Sequence, residues 1–153
     1  CPGDVQRGQI AERHRRAATL HWSVNQVVTL ASIVEKETGK PAERPLIAAV
    51  FANRLRLGMP LQSDPTVIYG IADFDGDLTR ADLQRPGPYN TYVVRGLPPG
   101  PIANPGLAAI DAVLAPAASD ALYFVSRNDG SHEFSDTLAA HNRAVERYQR
   151  SSH

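Results

Sequence analysis

Ten residues, Leu30 to Gly39 (LASIVEKETG), constrain the chain more than any other stretch. They set carboxylates into the end of a helical pattern that begins near Ser23. At 100° per residue, with Glu35 at zero, Val24, Val28 and Ala31 fall within about 40° of it. Val27 and Val34 lie further round that side, and Asn25, Thr29, Ser32 and Lys36 take the polar side. Glu35 therefore points where the core-facing valines point. An ionised carboxylate there is costly unless it is paired or sits at the lip of a cleft. Such burial raises a carboxyl pKa from about 4.3 toward 6 or 7, the range a general acid needs at neutral pH. A Glu paired with a core Arg fits the same pattern. Glu37 and Glu43 are the rival acids, and Glu37 borders Leu30 and Ile33, where it would be half-buried and paired with an Arg. Glu35 and Glu37 diverge by about 160° around the axis, too far to act as an acid/base pair.

The 153 residues suffice for one domain with a proper core. A formal net charge of zero argues against nucleic-acid binding by bulk electrostatics. No apolar run approaches the roughly 18 residues of a membrane span, and no signal-peptide pattern is present. The only cysteine, Cys1, excludes an internal disulfide.

The chain reads as an α+β single domain, mostly helical, with a small hairpin and a long structured Pro/Gly-rich region. Residues 1–22 form a polar, Arg-rich lead-in, a strand or partly frayed helix. A helix is expected from Ser23, its N-cap, to Thr38, with Gly39 as its stop. A second follows from Glu43 to Leu57, with Pro45 in its first turn and Leu46, Ile47, Val50 and Phe51 as its buried stripe. From Met59 to Gly106 regular periodicity gives way to Pro, Gly, Asn and Tyr, with short helical turns at Pro65–Ile71 and Thr79–Leu83. The stretch GLPPGPIANPG, Gly96 to Gly106, is too Pro-rich for helix or inner strand, and a long structured coil of this kind is usually functional. A helix then covers Pro105–Leu114. Leu122–Ser126 and Glu133–Ser135 pair around a turn at Asn128–Gly130, and a last helix runs from Asp136 to Arg150.

Several motifs fail. Asp73, Asp75 and Asp77 alternate like a calcium loop, but its sixth position holds Leu78 and its twelfth Gln84. His132 and His141 lack a third ligand at zinc spacing. Ser32, Ser63 and Ser135 have no His–Asp context for a serine nucleophile. No metal or cofactor is expected.

Several separate blocks carry a resemblance that spans Ser23 to the C-terminus. They are LASIVEKET, NRLRLGMPLQSDPTVIYG, PYNTY, GLPPGPIANPG, LYFVSRNDGSHEFS and AAHN. Together they resemble the catalytic domain of the YceG-like (MltG) family of endolytic murein transglycosylases. Family members usually add an N-terminal membrane helix and a small LysM-like domain, so the chain resembles the catalytic domain alone. The resemblance implies a lysozyme-like groove and cleavage of the β-1,4 bond between N-acetylmuramic acid and N-acetylglucosamine in peptidoglycan. It implies one catalytic glutamate and no metal. Carried onto this sequence, that residue is Glu35, the first Glu of IVEKE. A single carboxyl suffices because the muramic acid C6 hydroxyl is the nucleophile, and the product is a 1,6-anhydro sugar. Ordinary glycosidases need two carboxylates.

Sugar contacts are expected from Gln62 and Asp64 in LQSDP, and from Tyr89, Asn90, Thr91 and Tyr92 in PYNTY. Tyr89 and Tyr92 would stack on sugar faces and Asn90 would face Glu35. Each also has a structural reading: a Tyr in an irregular loop plugs a core gap, and Asp64 before Pro65 caps a turn. The resemblance further implies glycan strands as substrate and cell-wall synthases, the penicillin-binding proteins, as partners. The implied site of action is the periplasm, with inner-membrane anchoring through a segment outside this chain. Two other readings stay open: a catalytically silent glycan-binding or scaffolding module, and a hydrolytic muramidase with Asp64 as its second carboxylate.

Overall fold

The computed structural model describes residues 2–37, 40–71 and 74–150. Cys1, Thr38, Gly39 and Asp73, which carried readings above, lie outside them. Helix α1 (Pro2–Thr19) is followed by α2 (Val24–Glu37), a 3-10 turn (Pro41–Glu43) and α3 (Arg44–Leu57). Then come α4 (Asp64–Tyr69), α5 (Arg80–Gln84) and α6 (Leu107–Leu114). Strands β1 (Tyr123–Ser126) and β2 (His132–Ser135), helix α7 (Leu138–Val145) and a π-helical turn (Glu146–Arg150) complete the order.

The core lies where α2, α3 and α6 pack together. Leu30, Ile33 and Val34 of α2 meet Ile47 and Phe51 of α3 and Ala109 and Val113 of α6. Ser23 begins α2 with a reciprocal cap: its Oγ accepts from the N–H of Gln26 at 3.1 Å, and Gln26 Oε1 accepts from the N–H of Ser23 at 2.8 Å. Gly58 ends α3 in the left-handed conformation, φ +73°, open to glycine at least cost.

The lead-in is a continuous 18-residue helix, not a frayed segment. Glu12 pairs with Arg15 and Arg16 one turn on, which supports the helix locally. Arg13 grips Asp111 of α6 through two bonds of 2.7 and 3.2 Å, and buried Ala17 joins the core.

The supposed polar side of α2 is also covered. Thr29 and Ser32 are fully buried. The Pro-rich segment crosses over them as a strap: the N–H of Ile102 donates to Ser32 Oγ at 3.0 Å, and Ile102 itself is buried. Wheel geometry alone misplaced this face because a coil, rather than solvent, lies against it. At the helix start the error is opposite, for Val24 is 58% exposed.

The hairpin pairs Phe124 with Phe134 and Ser126 with His132, antiparallel. Its approach to α3 is fixed by side chains of that helix. Asn53 Nδ2 donates to the carbonyls of Ser119 and Ala121, both at 2.9 Å, and Arg54 Nε donates to that of Leu122 at 2.7 Å. Phe124 meets Phe51 edge-on, ring centroids 5.8 Å apart. Thr137 caps α7, its Oγ1 accepting from the N–H of Ala140 at 3.2 Å.

Candidate active site

Between the α3–α4 loop, the hairpin and α7 runs a groove of about 540 Å³, a size that fits small-ligand binding. Glu37 enters it from the end of α2, Gln62 from the loop, Asp64 from the start of α4, and Tyr92 from the irregular middle. Tyr123 and His132 come from the two strands, and His141 and Asn142 from α7.

Glu37 continues the most buried face of α2, in line with Leu30 and Ile33. Its carboxyl keeps an edge on the groove while the walls surround it. Ser63 Oγ donates to Glu37 Oε1 at 2.7 Å. Ser63 is held in turn: its N–H donates to Thr91 Oγ1 at 2.8 Å, and its carbonyl accepts from Thr66 Oγ1 at 2.8 Å. Gln62, just before it, takes φ +54°, an uncommon conformation for a side chain of this type, and its N–H donates to the Thr91 carbonyl at 3.1 Å. This pinned backbone aims Ser63 inward at Glu37 and leaves Gln62 exposed along the groove.

Burial raises the Glu37 pKa, and the nearby Asp64 charge adds to the rise. The Ser63 hydrogen bond and a charged His132 act the other way. Asp64 Oδ1 accepts from the Tyr92 hydroxyl at 2.5 Å. Burial first, then Asp64, holds the Tyr92 phenol above its ordinary range, so it remains a donor. Buried Arg54 forms part of the groove lining and stands 5.0 Å from the Tyr123 ring centre, and His141 stacks against Tyr123 at 5.0 Å. Burial, then the Arg54 charge, lowers the His141 pKa.

Glu35 lies outside this groove. Its side chain is 32% exposed, with Oε2 3.7 Å from Nε of Arg44. Its Oε1 faces Gly106, where an added Cβ would stand 3.7 Å away. It is therefore a partly exposed carboxylate beside an arginine at the start of α3, not a carboxyl wrapped in valines. The foot of α6, from Gly106 onward, stands on the side of α2 that the wheel had assigned to a cleft.

The PYNTY block divides. Tyr92 alone of its four expected contacts lines the groove. Thr91 is buried, and its hydroxyl is spent on Ser63 and, at 2.9 Å, on Thr66. Asn90 is 5% exposed. Its Nδ2 donates to the carbonyls of Arg85 at 2.7 Å and Leu83 at 3.0 Å, and its Oδ1 accepts from the N–H of Tyr92 at 3.0 Å. It braces the loop from within. Tyr89 packs on Tyr69, ring centres 4.9 Å apart, and lines a separate cavity with Gly70 and Pro86. Neither Tyr89 nor Asn90 shares the groove with Glu37.

Sequence reasoning assigned no role to Ser63, Tyr123, His132, His141 or Asn142 as site residues. The signal was present in the blocks LYFVSRNDGSHEFS and AAHN, but only the packing of hairpin and α7 against α3 brings them to Glu37.

A model described as the YceG-like family matches residues 4–147. The chain belongs to the YceG-like family. An endolytic murein transglycosylase of Bacillus subtilis (strain 168) is 45% identical over 126 residues, covering 82% of this chain and 35% of that protein. One from Streptococcus pneumoniae is 39% identical over 129 residues, covering 80% of this chain and 23% of that protein. A crystal structure of a YceG-like protein from Listeria monocytogenes superimposes with a TM-score of 0.79 at 42% identity, over 88% of this chain and 43% of that one. The chain thus spans about a third or less of the curated relatives it matches. In this YceG-like domain the groove joins the LQSDP block to the hairpin and the AAHN helix, while the GLPPGPIANPG block serves as the strap over α2.

Proposed function

We propose that this domain cleaves peptidoglycan glycan strands as an endolytic lytic transglycosylase, with Glu37 as its single acid/base. One observation carries the choice of acid: of the two glutamates in IVEKE, it is Glu37 that opens on the groove, where burial raises its pKa. The names of the relatives support the substrate and bond class.

The chemistry follows from that placement. Protonated Glu37 gives its proton to the glycosidic oxygen between N-acetylmuramic acid and N-acetylglucosamine as the C1–O bond breaks. The carboxylate so formed accepts the proton of the muramic acid C6 hydroxyl as that oxygen closes on C1. A 1,6-anhydro end results, no water is consumed, and Glu37 returns to its starting state. Ser63 suits both halves, since its hydroxyl orients the carboxyl and stabilises the charge when it appears. Gln62, Asp64 and Tyr92 offer hydrogen bonds to sugar hydroxyls and N-acetyl groups along the wall, and His141 and Asn142 extend that wall on α7. A substrate of this kind sets the place of action in the bacterial cell envelope, beside the synthases that make the strands.

Asp64 keeps a hydrolytic muramidase in view, because it is a second carboxylate in the same groove. Mass spectrometry of digested strands separates the two: anhydro ends support the transglycosylase, and reducing ends support the muramidase. An Asp64→Asn variant should still give anhydro ends. A switch to no cleavage at all, with the fold intact, would favour a two-carboxylate reaction.

A further inference from the structure

Glu43 and His132 form a pair for which the cleavage chemistry above has no use. The N–H of His132 donates to Glu43 Oε2 at 2.8 Å, and its ring Nδ1 meets Glu43 Oε1 at 2.9 Å. Both side chains are only 13% exposed. A carboxylate can only accept, so the Nδ1 proton lies toward Glu43, which leaves Nε2 without a part in that pair. Phe124 stands edge-on to the ring at 5.4 Å, with Phe134 on a further side at 6.4 Å. Three separate elements thus hold one imidazole in one orientation: the 3-10 turn through Glu43, β1 through Phe124, and β2 itself. That ring shares the groove with Glu37.

We propose that His132, fixed by Glu43, is a positioning residue for Glu37: in its protonated form it stabilises the Glu37 carboxylate as that charge forms. This rests on Glu37 being the acid. When the Glu37 proton passes to the leaving oxygen, a protonated ring keeps both its own protons and supplies a fixed cation in the same groove as the new anion. The groups around Glu37 set the balance. Asp64 of α4 opposes its ionisation, while Ser63 and the His132 charge favour it. Tyr92 is engaged with Asp64. Around His132 the facing charge is that of Glu43, whereas its neighbour Glu133 pairs with Arg127 and Arg147.

The test is a carbon-13 NMR titration of the Glu37 carboxyl in the full chain, assigned by its loss in Glu37→Gln. It is run on the wild type, His132→Gln and His132→Asn, alongside kcat and KM on purified glycan strands. The asparagine variant can keep an N–H donor toward Glu43 while removing the charge, and the longer glutamine fills more of the space of the ring between Phe124 and Phe134. The expected result is a Glu37 midpoint moved to higher pH in both variants, with kcat down by about tenfold or more and KM nearly unchanged. A merely structural histidine would leave the midpoint where it is. An unmoved midpoint in whichever variant folds overturns the proposal, whatever happens to kcat. Full activity of Glu37→Gln would instead sink the reading of Glu37 as the acid, independently of the titration.

Discussion

The Ser63 hydroxyl donates a 2.7 Å hydrogen bond to Oε1 of Glu37, across 26 residues of sequence. That bond ties the Glu37 carboxyl at the end of α2 to the loop before α4. It makes the pKa of Glu37 a property of the tertiary fold: burial pushes it up and Ser63 draws it part of the way back.

Ser63→Ala should therefore raise the Glu37 pKa further, because the carboxylate loses its donor while burial remains. The alkaline limb of kcat should move to higher pH, and kcat should fall, since the carboxylate that must form is less stable. A pH–rate profile checks this. An alkaline limb moving to lower pH would contradict it.

Stability should carry the same titration. The folded pKa of Glu37 is raised above its ordinary value of 4.5. The protonated form is thus the one the fold favours. Its contribution is complete below that ordinary value and is lost as pH rises through the folded midpoint. The melting temperature should contain a component that declines across that window. Glu37→Gln, with no proton to lose, should lack it and be at least as stable as the wild type at pH 8. Thermal melts of both from pH 4 to 8 test this, and parallel curves would count against a raised folded pKa.

Asn90→Ala should destabilise the protein without altering the chemistry of the groove. It strands the carbonyls of Leu83 and Arg85, which Nδ2 now satisfies, and each buried unpaired group costs about 1–3 kcal/mol. Asn90→Asp should be worse, because a carboxylate cannot donate to either. Denaturant melts should show the loss, while the pH–rate profile of the folded fraction keeps its shape. A normal midpoint of unfolding with a large rise in KM would restore Asn90 as a sugar contact.

Much of the fold was legible because it depends on local rules. The Ser23 cap, the Gly58 stop and the Tyr123–Ser135 hairpin follow from residues close in sequence. The site was legible as blocks and not as an arrangement. Periodicity fixed which residues of α2 share a side with Glu35, but what lies against each face of α2 is decided elsewhere. The strap led by Ile102 covers the Ser32 face, and the Ser63 loop, pinned by Thr91, meets the Glu37 face. PYNTY misled for a similar reason. Asn90 and Tyr92 are two apart in an irregular segment, and a turn sends one to the interior and the other to the groove.

The measurement closest to the centre of this account is the cleavage of purified glycan strands by Glu37→Gln and Glu35→Gln, with products identified by mass spectrometry. Loss of a general acid costs about 10²- to 10⁴-fold. Glu37→Gln should lose at least that much while its circular dichroism stays native, and Glu35→Gln should still yield 1,6-anhydro ends at a rate within about tenfold of the wild type. The reverse pattern, an inactive Glu35→Gln beside a Glu37→Gln that still forms anhydro ends, would contradict the assignment of the acid to the groove.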